Sequence, residues 1–168
     1  MALKWKKAPQ RKPETKIVGK RRTRVAVNEQ RRAKGQKAVE RMRAWHKNGS
    51  TKSPVGMAWL GHCAHAVAQA HGHYASIWPS AQKGWDWTHP SKRHSGKKMK
   101  NPPRGSLVYY RGGSKGYGHV GVANGRGKVW QVDINENNKI GLADIDAPVK
   151  KWGMTLLGWV WADEVSSW

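Results

Sequence analysis

Apolar positions are thin at the start of the chain and dense towards its end, and their rhythm changes from helical to strand-like between the two. From Asn28 to Lys47, Val39, Met42 and Trp45 recur every third residue. This spacing predicts a basic helix with one narrow apolar stripe, stopped by Asn48-Gly49. A stripe so narrow cannot form a core alone and is expected to lie on the main domain or on a partner. Ser53-Pro54 resembles a helix start, weakened by Gly56 and Gly61. Between Cys63 and His71 the small residues Ala64, Val67, Ala68 and Ala70 predict a buried helix closed by Gly72. A short helical turn is expected after Pro79, and residues 88–105, with several lysines and Pro102-Pro103, read as an exposed loop.

After residue 105 the apolar residues cluster in short β-like runs: Ser106–Tyr110 (SLVYY), His119–Ala123 (HVGVA), Lys128–Val132 (KVWQV) and Thr155–Trp161 (TLLGWVW). Asn124-Gly125-Arg126-Gly127 between the middle two is a strong hairpin signal. A helix followed by antiparallel strands predicts an α+β domain over residues 51–168, preceded by a basic arm over 1–50. Within the arm, residues 1–27 read as disordered and 28–47 as the helix. No internal repeat is present.

Charge sharpens this division. Residues 1–52 hold 18 Lys+Arg against three acids, a net +15 of the chain's +22. A hydrophobic fraction of 38% is low for a wholly packed chain, and the arm is where packing is expected to be missing. Such charge attracts nucleic acid, anionic wall polymers or acidic headgroups without choosing among them. The single cysteine, Cys63, excludes an internal disulfide. The basic N-terminus has no apolar run behind it, so no secretory signal is expected. No apolar stretch is long enough to span a membrane.

The candidate chemistry centres on Cys63. In the first turn of its helix, unpaired N–H groups and the helix dipole are expected to lower the thiol pKa. A neighbouring imidazole would then give a thiolate–imidazolium pair. His119, opening a strand, is the candidate base. A hairpin centred near Gly125-Arg126 pairs residues whose numbers sum to 251 or 252, which sets His119 opposite 132 or 133. Asp133 is therefore the candidate for holding the ring in its tautomer. Taken singly, each has a plainer reading: a packing cysteine, a surface histidine, a turn-forming aspartate. His62, His65, His71 and His73 contain zinc-ligand types, but no carboxylate support is evident and adjacent ligands rarely share one metal. No metal is expected. Trp78 is expected in the core, while Trp85 and Trp87 are candidates for a substrate groove together with Tyr117.

The order of these residues resembles the CHAP and NlpC/P60 group of papain-like cysteine amidohydrolases and peptidases, in particular catalytic domains of endolysins from phages of actinobacteria. The stretches that carry the resemblance are CAHAVAQAHGHYASIWPSAQKGW (63–85), NPPRGSLVYY (101–110), GHVGVANGRGKVWQVDIN (118–135) and IGLADIDAPVKKWGMTLLGW (140–159). The resemblance covers roughly residues 55–163 and leaves the basic arm unmatched. It implies a papain-like fold, with Cys63 as nucleophile and His119 as general base. Asp133-Ile134-Asn135 stands in the place of the family's acidic-x-Asn element, so Asn135 is a candidate orienting residue. The implied activity is cleavage of peptidoglycan amide bonds with no cofactor, by a protein made without a signal in the host cytoplasm. It would reach the wall after release or be carried in the virion. The rival expectation is a virion structural or nucleic-acid-associated protein whose basic arm is the working part.

Overall fold

The computed structural model describes residues 15–99, 101–165 and 167–168. The chain divides into two compact units, Met1–Gln30 and Arg31–Trp168. The disordered arm expected up to residue 27 lies outside the described residues as far as residue 14. From Thr15 the chain is helical, and α1 spans Thr15–Lys47. In the first unit, Arg21 and Thr23–Gln30 are exposed.

The second unit begins at Arg31, ahead of the boundary expected near Thr51, because the apolar stripe of α1 is part of its core. Ala38, Val39 and Met42 are buried, and Trp45 packs at a tilt against Trp59 with ring centroids 5.0 Å apart. The helix backbone also touches the loop before the first strand. A Cβ on Gly35 would stand 2.5 Å from the Arg104 carbonyl oxygen, and one on Gly105 would stand 2.1 Å from Gly35 Cα. Only glycine permits that approach. At the C-terminus of α1, Gly49 is left-handed, Ser50 N–H donates to Trp45 O and Gly49 N–H to His46 O. That pair of bonds satisfies two orphan carbonyls and stops the helix where Asn48-Gly49 predicts.

Ser53-Pro54 does not start a helix. Lys52 pairs with Ala58 in an isolated bridge, and Ser53 accepts bonds from Gly56 N and Met57 N around a left-handed Gly56. Helix α2 (Cys63–Ala70) and α3 (Ala81–Trp87) follow, the latter capped by the Ser80 hydroxyl accepting from Lys83 N–H. The region 88–105 contains two 3₁₀ turns, Pro90–Lys92 and Gly96–Met99, and is held to the fold by His94, whose backbone pairs with Trp159.

The five strands are β1 (Leu107–Arg111), β2 (His119–Ala123), β3 (Lys128–Val132), β4 (Ile140–Asp144) and β5 (Thr155–Val160). They form one antiparallel sheet in the order β4-β3-β2-β1-β5. β4 and the short α4 (Ala147–Trp152) are additions to the predicted elements. Helices α2 and α3 cover one face over Leu107, Tyr109, Val120, Val122, Trp130 and Val132. The opposite face packs Val108, Tyr110, Ala123 and Val129 against Met154 and Trp159. Burial of both faces explains why the central strands read as near-continuous apolar runs. The chain is thus α+β with a five-stranded antiparallel sheet. No helix among the described residues is long and apolar enough to cross a membrane.

Candidate active site

Helix α2 begins at Cys63, and strand β2 begins at His119. Both residues line one open cleft of about 730 Å³ at the end of the sheet. Its other walls come from Leu60 to His62, the Gly112–Gly118 loop, the end of β3, and Trp152 with Met154. Cys63 is half-buried, and the backbone N–H of Val120, the residue after His119, lies at its sulfur together with those of Ala64 and Cys63. The sulfur therefore rests against the strand that carries the imidazole.

Electrostatics at the pair differ from the expected ion pair. Burial pushes the Cys63 thiol up to about 11, and the carboxylate of Asp133 adds to the rise, whereas the three N–H groups oppose it. Burial likewise pulls the His119 imidazole down to about 4, against the bond to Gln131 and the charge of Asp133. Desolvation of the charged forms outweighs the helix terminus, whose stabilisation of an anion is only about 0.3–1 kcal/mol at exposed sites. At rest Cys63 is a neutral thiol and His119 a neutral imidazole, which corrects the expectation of a lowered thiol pKa.

The third residue is also different. β2 and β3 pair Val122 with Trp130 and Ala123 with Val129, a sum of 252, so the hairpin extended places His119 level with Asp133. At Asp133, however, the backbone turns left-handed, with φ 63, and strand alternation ends there. The Asp133 carboxylate is directed elsewhere: Oδ2 accepts from Gly61 N–H at 2.8 Å and Oδ1 from Asn138 N–H at 2.6 Å. Asn138 Oδ1 in turn accepts from Leu60 N–H at 2.9 Å. Asp133 thus pins the segment leading into Cys63 to the β3–β4 turn, and it acts on the pair only through its field. The ring of His119 is held instead by Gln131, whose Oε1 lies 2.9 Å from His119 Nε2. Gln131 sits two residues before Asp133 on the same face of the strand, where alternation alone could have found it.

Other candidates scatter. Asn135 is exposed and its amide donates to Leu142 O at 3.2 Å, away from the cleft. Trp85 is buried in the core on Tyr109, with Arg93 over its ring, and is no groove residue. Trp87 is exposed outside the cleft lining, whereas Tyr117 lines the cleft and is 60% exposed. Trp78 is buried, as the sequence suggests. Of the four histidines near Cys63, His71 and His73 share a ring partner and the other two have different ones. His62 bonds Ala58 O through Nδ1, His65 is buried beside Trp59, and His71 and His73 stack on Trp168. No group of three or more metal-ligand side chains comes together among the described residues.

No family model, curated protein or solved structure matches the chain.

Proposed function

We propose that this protein is a papain-like cysteine amidohydrolase of the CHAP or NlpC/P60 type, acting on amide bonds of bacterial peptidoglycan as an endolysin-type enzyme. The observation that carries the reading is the convergence of a helix-start cysteine and a strand-start histidine on one open cleft. An amide oxygen only accepts, so Gln131 keeps the proton on His119 Nε2 and leaves the Nδ1 lone pair as the base. As the Cys63 sulfur bonds to the substrate carbonyl carbon, its proton passes to Nδ1, so charge forms during attack rather than before it. The carbonyl oxygen becomes an oxyanion, met by backbone N–H groups at the start of α2. The imidazolium then gives its proton to the leaving amine as the carbon–nitrogen bond breaks. Water, deprotonated by His119, releases the acyl group and restores the thiol.

The test is clearing of actinobacterial peptidoglycan by the full chain against Cys63→Ala. Clearing by the wild type and none by the variant is expected. Equal clearing by both removes Cys63 as nucleophile.

A second reading, polyanion binding, has one observation in its favour. Arg32, Lys34, Lys37, Arg43 and Lys47 are exposed on α1 and form no ion pair among the described residues. Binding of a DNA oligonucleotide that weakens steeply with salt is its signature, and salt-independent binding or none removes it.

A further inference from the structure

We propose that Lys115 makes the cleft selective for peptide substrates that carry a free carboxylate, an inference that rests on the hydrolase reading above and names its substrate class. The charge balance of the cleft wall points this way. Apart from the histidines, its ionisable side chains are Cys63, Lys115, Tyr117 and Asp133. The thiol is neutral at rest, and both carboxylate oxygens of Asp133 are already taken by backbone N–H groups. His119 is neutral at physiological pH. Lys115 is exposed and forms no ion pair among the described residues, so its ammonium is free to pair with a ligand, whereas the Asp133 carboxylate in the same wall has its oxygens engaged by backbone.

That ammonium sits on a built loop. Between β1 and β2, Gly116 N–H donates to Gly113 O at 3.1 Å and Gly118 N–H to Gly112 O at 3.0 Å. Gln82 N–H, at the start of α3, donates to Tyr117 O at 2.9 Å. Gly118 is left-handed, and a Cβ there would meet Tyr110 O at 2.6 Å and Gln82 N at 3.1 Å. The loop is therefore closed on itself and tied to α3, with Lys115 and Tyr117 held at the cleft. A cation presented in this way discriminates an ionised carboxylate from its carboxamide, which has the same shape and no charge. In the same wall, Trp152 and Met154, the latter beside Gly112 and Gly113 of this loop, supply an apolar surface for the uncharged part of a peptide.

The test uses one batch of purified peptidoglycan, half of it with its carboxylates converted to carboxamides by carbodiimide coupling to ammonia. Initial rates of soluble peptide release by the full chain are compared on the two halves. The untreated half is expected to be cut about five- to tenfold faster at low salt, with the advantage shrinking as salt rises. Lys115→Met should bring the ratio close to one, and Lys115→Arg should restore most of it. Equal rates on both halves by the wild type, or a ratio that survives in Lys115→Met, overturn the inference and leave the hydrolase reading standing. Release from neither half overturns both.

Discussion

His119 Nε2 and Gln131 Oε1 lie 2.9 Å apart, on neighbouring strands and the same face of the sheet. The bond engages Nε2 and leaves Nδ1 as the other ring nitrogen. It also separates two residues with different work: Gln131 orients the ring, while Asp133 ties down the chain before Cys63.

Replacing Gln131 by Ala should therefore lower kcat by roughly 10²-fold through loss of the tautomer and ring orientation. Stability should fall as well, by about 1–3 kcal/mol, because His119 Nε2 is left buried without its acceptor and a cavity opens beside it. Asp133→Ala should affect stability with a smaller loss of kcat, because its carboxylate bonds backbone and not the ring. Freeing Gly61 N and Asn138 N should cost about 1–3 kcal/mol of stability. Steady-state kinetics and thermal denaturation of the two variants, side by side, separate these outcomes.

Alkylation of Cys63 by iodoacetamide should be slow at pH 6 and accelerate about tenfold per pH unit towards alkaline pH, as the thiolate fraction grows. The thiol raised to about 11 and the imidazole lowered to about 4 together exclude a resting ion pair. A fast rate already at pH 6, with a plateau above it, is the profile of a thiolate–imidazolium pair and would refute the neutral resting state.

Mild acid should destabilise the fold through its buried histidines. His71 and His119 are both held near 4 by burial, against an ordinary value of 6.5. Between those values the unfolded chain binds protons that the native chain refuses, so stability rises with pH across the window and falls as pH drops through it. Each group contributes about 1.4 kcal/mol per pH unit there. Urea midpoints at pH 7.5 and 5.0 should differ, and His71→Gln should flatten the dependence. A flat wild-type profile would show that these imidazoles are charged in the native state.

Gly35→Ala should lower stability by about 1–3 kcal/mol, since the new methyl meets backbone, not a flexible side chain. Lys37→Ala, two residues further along the helix and exposed, should fall within about 0.5 kcal/mol of wild type. Equal denaturation midpoints for the two variants would mean that the second half of α1 is not docked on the sheet domain.

Legibility in the sequence followed signal strength. The hairpin at Asn124–Gly127 was readable to within one residue of its register, because turn residues and two apolar runs agree; the pairing of Val122 with Trp130 decides between the two. The helix start at Cys63 was readable from small residues ending in Gly72. β4 was not readable: IGLAD mixes glycine, alanine and an acid in five residues, and only its pairing with β3 makes it a strand. The place of α1 could not be decided either, since a thin stripe suits a domain, a partner or solvent until Gly35 is seen against Gly105.

Alone, the sequence determined the types of α2, β1, β2, β3 and β5 and the β2–β3 hairpin to within one residue of register, because these depend on local periodicity and turn chemistry. Tertiary structure decided which of Gln131 and Asp133 reaches the ring. The backbone at Asp133 is left-handed, and its carboxylate is bonded to the β3–β4 turn and to Gly61. Tertiary structure decided the protonation of the pair as well. Desolvation depends on what surrounds a sulfur and an imidazole in space, and neighbours along the chain do not report it.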